Sequence, residues 1–104
     1  MRIEGKTGAS NGWRYGPLSL ATAKYPALNV SVEGTENARF FVDVMDADDE
    51  VIFQSLWRET PISKKTFEFA LPEEKTVGAL ILYTWTEDGR PAENRFSSAV
   101  FKGP

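Results

Sequence analysis

Apolar and polar residues alternate with period two in several short stretches, and each stretch predicts a half-buried strand. Ala27–Glu33 sets Leu28, Val30 and Val32 against Asn29, Ser31 and Glu33, with Pro26 opening the run and Gly34 closing it. Ala38–Met45 sets Phe40, Val42 and Val44 against Arg39, Phe41 and Asp43. After a turn at Asp46–Glu50, Val51–Arg58 places Val51, Phe53, Ser55 and Trp57 on one side and Ile52, Gln54, Leu56 and Arg58 on the other. Thr66–Leu71 turns Phe67, Phe69 and Leu71 inward and Thr66, Glu68 and Ala70 outward. Val77–Thr86 is the most apolar stretch and reads as a central strand covered on both faces. A turn at Glu87–Pro91, built on Asp88-Gly89, leads to Arg95–Lys102, where Phe96, Ser98 and Val100 oppose Arg95, Ser97, Ala99 and Phe101. No helix-period window exceeds two turns. Six strands with turns between them predict an all-β fold, a two-layer antiparallel β-sandwich formed as one domain over residues 1–104.

The first 24 residues carry less signal. Gly5–Gly12 is polar and glycine-rich and reads as loop, without the GxxxxGK[ST] spacing of a phosphate cradle. Trp13–Ser19 is consistent with a short edge strand ending in a turn. At 104 residues the chain has room for one core. It contains no cysteine and no histidine, which excludes disulfides, thiolate or imidazole metal sites, and catalysis by either side chain. Twelve basic against fifteen acidic residues give a net charge of −3, which argues against nucleic-acid binding, since phosphate neutralisation needs a basic face. No apolar run approaches the roughly 18 residues of a membrane span, and Met1 opens no signal peptide.

Carboxylates are the remaining candidates for acid–base work. Asp43 and Glu68 lie on predicted outward faces of different strands and would have to converge across one sugar to act as a glycosidase pair. Solvated strand-face charges are the plainer reading of both. Asp46–Glu50 is an acidic turn of the kind calcium favours, yet it lacks EF-hand spacing and reads as a solvated turn. Asn29-Val30-Ser31 matches a glycosylation acceptor by chance and is assigned no role.

The three tryptophans carry more information. An indole offers a flat face to the C–H side of a pyranose while neighbouring polar groups take the hydroxyls. Trp13 lies in a loop-like, surface region with Tyr15 beside it. Trp57 is compatible with core or surface, and Trp85, in phase with Ile81 and Tyr83, reads as core if it is not a platform. The candidate carbohydrate-binding residues are Trp13, Tyr15, Trp57, Arg58, Trp85, Asp88, Arg90, Asn94 and Arg95, with Gln54, Glu59 and Glu87 as further polar neighbours.

Three segments, Tyr15–Ser19, Lys24–Val32 and Ala38–Val44, followed by Gln54-Ser55, Thr66–Phe69 and Leu80–Tyr83, resemble the jelly-roll, galactose-binding-like domains attached to bacterial polysaccharide-degrading enzymes. The resemblance spans roughly residues 12–102. It implies a jelly roll without catalytic activity: a carbohydrate-binding module that holds a covalently attached catalytic domain on its polysaccharide or oligosaccharide. It further implies an extracellular or cell-surface location and a monomer. Many such domains hold a structural calcium ion; here Glu4 is the acidic candidate for it, and no other cofactor is expected. The binding site would lie either in the loops at one edge, where Trp13 belongs, or on the concave sheet face, where Trp57, Asp43 and Glu68 would lie. The alternative on the same fold is an immunoglobulin-like structural or protein-interaction module; a small carboxylate enzyme ranks last.

Overall fold

The computed structural model describes the backbone of residues 2–5 and 11 and all atoms of residues 12–104. The described residues form strands and no helix. In chain order these are β1 (Arg2–Gly5), β2 (Asn11–Tyr15), β3 (Leu20–Ala21), β4 (Ala27–Gly34), β5 (Arg39–Met45), β6 (Val51–Gln54), β7 (Arg58–Glu59), β8 (Lys65–Ala70), β9 (Thr76–Val77), β10 (Ala79–Trp85) and β11 (Ala92–Lys102). One sheet has the order β1-β11-β4-β8 and the other β2-β10-β5-β6, with β7 extending β5; β3 and β9 form a separate pair. Each of these pairings is antiparallel. The expected two-layer β-sandwich is therefore the fold.

The alternation in β4 and β5 explains the core. Leu28, Val30 and Val32 of the first sheet meet Phe40, Val42 and Val44 of the second, and all six are fully buried. Phe69, Phe96, Leu80 and Leu82 complete the layer. Phe40 anchors it, with its ring 5.1 Å from Phe67 and 6.2 Å from Phe96. Burying side chains of this kind contributes about 1.5–3 kcal/mol each.

The structure corrects three phases. First, Val51–Arg58 is not one strand: a register shift within β6 turns Val51 outward and brings Ile52 beside Phe53 against the core, and β6 ends at Gln54. The Ser55 hydroxyl accepts from the Val42 N–H at 2.8 Å and donates to the Leu56 carbonyl at 2.9 Å. Leu56 takes a left-handed φ of 58°, and pairing resumes only at Arg58. Second, Val77–Thr86 divides at Gly78, whose N–H donates to the Met45 carbonyl at 2.7 Å. A Cβ there would sit 2.5 Å from the Asp46 carbonyl oxygen, so only glycine permits the approach. The portion that follows, β10, is covered by the other sheet on one face only. Third, a bulge between Phe96 and Ser98 shifts the register of β11. Ala99 and Phe101 consequently join Phe96 against the core, while Val100 turns outward.

A buried polar brace joins the layers. Asn94 of β11 has no exposed surface. Its Oδ1 accepts from the Thr60 hydroxyl at 2.6 Å, and its Nδ2 donates to the Arg39 carbonyl and to Thr84 Oγ1, both at 2.9 Å. One amide thus ties the first sheet to β5 and β10 of the second. Replacing Asn94 with Ala removes one partner each from Thr60, Thr84 and the Arg39 carbonyl, and the expected loss is roughly 2–4 kcal/mol of unfolding free energy in a urea titration. A loss below about 1 kcal/mol would show that the brace is incidental.

Candidate functional site

The outer face of the five-stranded sheet is where chemistry collects. Antiparallel register lines its side chains up in rows. Arg14, Ile81, Asp43 and Gln54 form one row across β2, β10, β5 and β6. Gly12, Tyr83 and Phe41 form the next, and Trp85, Arg39 and Glu59 a third. Trp57 sits beyond the end of β6. The irregular Ser55–Trp57 segment carries it onto this face instead of the inward side that Phe53 occupies.

Four rings run together across the rows. Tyr83 stacks on Phe41 at 4.2 Å and 14°, Phe41 meets Trp57 edge-on at 4.3 Å, and Trp57 meets Trp85 at 4.5 Å. Trp57 is 46% exposed, and the other three are half-buried. Gly12 makes room at one end: a Cβ there would lie 2.8 Å from Tyr83 Cδ1. Trp85 is therefore a platform residue, not a core one. Its strand is apolar on both sides because Leu80 and Leu82 fill the core while Ile81, Tyr83 and Trp85 carpet the outer face.

Polar groups interrupt the aromatic carpet. Asp43 is only 8% exposed, and its Oδ1 is enclosed without a hydrogen-bond partner. Burial pushes its carboxyl above the ordinary range, against the pull of a hydrogen bond from Gln54. The Tyr83 hydroxyl is likewise raised, by burial first and then by the Asp43 charge, with Arg14 acting in the opposite sense. Arg14 pairs with Asp49 at 2.6 Å, and Arg39 lies 3.8 Å from Glu59. A recess of about 110 Å³ opens between Phe41, Asp43, Gln54, Leu56 and Trp57.

The nine candidates from the sequence do not share one place. Trp57 and Trp85 meet on the platform. Trp13 and Tyr15 project on the side of Leu82 and Leu80, at the exposed β2 edge, with Trp13 53% exposed. Arg58 pairs with Phe40 and lies over the Phe69 ring at 5.5 Å, away from the outer face. Arg95 is on the other sheet, 3.9 Å from Glu33. Asp88 and Arg90 occupy each other: the guanidinium donates to Asp88 Oδ2 at 2.7 and 3.0 Å. Thr86, Asn37 and the Arg90 N–H also donate to Asp88, which holds its carboxyl well below the usual range. Asn94 is enclosed in the inter-sheet brace. Phe41, Tyr83, Asp43 and Arg14, none of them among the nine, complete the platform; the apolar outer phase of β10 was the signal for Tyr83.

Asp43 and Glu68 face outward from opposite sheets, since Glu68 pairs with Asn29 of the first sheet and Asp43 with Gln54 of the second. They do not converge as an acid–base pair. In the acidic turn, Asp46 Oδ1 accepts from the Asp48 and Glu50 N–H groups and so caps its own loop. The Glu4 side chain lies outside the described residues, as does most of the glycine-rich stretch. Among the described residues no three acidic side chains gather closely.

This geometry belongs to a class of fold, the jelly-roll β-sandwich. A solved structure described as "CBM4 structure and function" matches it with a TM-score of 0.75, covering 99% of this chain and 82% of that one at 7% sequence identity. No family model and no curated protein matches the sequence.

The raised Asp43 carboxyl has a consequence for stability. Folding favours its neutral form, so the stability it contributes is present below the unfolded value of about 3.9 and is lost as pH rises through the folded value. Asp43→Asn is expected to melt above the wild type at pH 7, with the gap closing toward pH 3. A gap of constant size across that range in thermal melts contradicts this.

Proposed function

We propose that the chain is a non-catalytic carbohydrate-binding module whose site is the outer face of the five-stranded sheet. The observation that carries this reading is the contiguous file Tyr83–Phe41–Trp57–Trp85, open at Trp57 and bordered by Asp43, Gln54, Arg39 and Arg14. Aromatic faces take the C–H side of sugar rings, and the bordering groups take hydroxyls. The likeness in fold to a CBM4 structure supports the same reading. An immunoglobulin-like protein-interaction module would call for an aromatic row free of such polar neighbours.

The module would act as an anchor. Affinity in the range of about −4 to −8 kcal/mol corresponds to millimolar-to-micromolar binding. Linked to a catalytic domain in an extracellular parent protein, a contact of that strength raises the local concentration of substrate without new chemistry. The partner is a polysaccharide or oligosaccharide.

Titration with a panel of soluble glycans, followed by tryptophan fluorescence, tests this directly. Trp57→Ala is expected to weaken binding about fivefold to thirtyfold, since a stacked ring contributes on the order of 1–2 kcal/mol. Its melting temperature should stay close to the wild-type value, because the ring is already half open. Glycan affinity that survives both Trp57→Ala and Trp85→Ala would rule the platform out.

A further inference from the structure

The recess beside Asp43 has a composition that the aromatic platform alone does not require. Its walls are apolar, from Phe41, Leu56 and Trp57, and Asp43 and Gln54 supply its polar side. At about 110 Å³ it is a small, open recess beside the rings. Leu56, one of its walls, stands 68% exposed at a φ of 58°. An exposed leucine in the left-handed region is not there to fill the core, and Ser55 holds the backbone in place against that cost. Asp43 Oδ1 is enclosed and without a partner, so a ligand hydroxyl reaches it by displacing the side chains that cover it. A carboxylate offers about four acceptor directions, and Gln54 supplies a donor to this one.

We propose that this recess is a specificity pocket for the exocyclic hydroxymethyl group of a hexopyranose lying on the platform. The inference rests on the glycan-binding reading above. A hydroxymethyl group is one apolar carbon ending in a hydroxyl. The carbon suits the walls formed by Phe41, Leu56 and Trp57, and the hydroxyl donates to the Asp43 carboxylate. A pentopyranose has no such group, so it leaves the pocket empty and the carboxylate unmet. Sites built to bond a hydroxyl discriminate well against the analogue that lacks it. Asp43 and Leu56 would then set which sugar is held, while Trp57 and Trp85 supply affinity common to both.

The test uses sugar pairs matched in ring configuration and linkage that differ in the hydroxymethyl group. Suitable pairs are cellohexaose against xylohexaose, and methyl β-D-galactopyranoside against methyl α-L-arabinopyranoside. Affinities are read by calorimetry or by NMR titration. The expected result is that the hexose member of at least one pair binds about tenfold or more tightly, in keeping with a hydrogen bond to a charged group. Asp43→Leu should bring the two members within about threefold of each other by weakening only the hexose. Leu56→Trp, at an exposed position, should fill the recess and do the same, which keeps the test open if the Asp43 variant fails to fold. Equal binding of both members by the wild type overturns the pocket and leaves the glycan-binding reading intact. Silence of all four sugars overturns the pocket, and the glycan-binding reading falls with it only if the wider glycan panel is silent too. A hexose preference that persists in both variants places its origin elsewhere and also overturns the pocket.

Discussion

The Ser55 hydroxyl governs the candidate site through two hydrogen bonds. By accepting from Val42 and donating to Leu56, it ends β6 against β5 while giving the departing chain a fixed course. Without that break the period-two alternation would send Trp57 to the same side as Phe53, toward the core. With it, Trp57 swings over Phe41, Leu56 becomes a wall, and Arg58 crosses to Phe69. One extra kink in the chain thus separates an interior aromatic from a surface one. The left-handed Leu56 is the conformational cost of that arrangement.

The platform is also stable as an assembly. Tyr83 stacks on Phe41, Phe41 meets Trp57 edge-on, and Trp57 lies tilted against Trp85; of the four rings Trp57 is the well-exposed one. The inner face of the same strands is fixed independently by Phe40, Val42 and Leu82. Fold and site are therefore built on opposite phases of the same strands. A change on the outer phase can alter recognition without reaching the core, whereas the Asn94 brace lies between the layers and serves the fold.

Much of the fold was legible in the sequence. The alternation in β4, β5 and β8 is uninterrupted, and their inward residues are those expected. The expectation lost phase where the chain inserts a residue or bends: at Ser55-Leu56, at Gly78, and at the bulge after Phe96. A bulge shifts every later side chain to the other face, and its cause lies in the partner strand rather than in the local residues. Gly78 was the exception, since a glycine within an apolar run signals a close backbone approach. The candidate site was half legible. Trp57 and Trp85 could be named from their type, but their meeting depends on the Ser55 turn. Asn94 looked like an available polar group because sequence does not reveal that Thr60, Thr84 and Arg39 enclose it. Asp88 and Arg90 looked free for the same reason, two residues apart in a turn that folds them onto each other.

On the proposed reading, the indoles of Trp57 and Trp85, and not that of Trp13, form the recognition surface. The three indole N–H resonances report on it separately in a two-dimensional NMR titration with a bound glycan. The Trp57 and Trp85 signals are expected to move together with increasing ligand while Trp13 stays in place. Movement of Trp13 with the other two unmoved would put recognition at the β2 edge and exclude the Trp57–Trp85 platform.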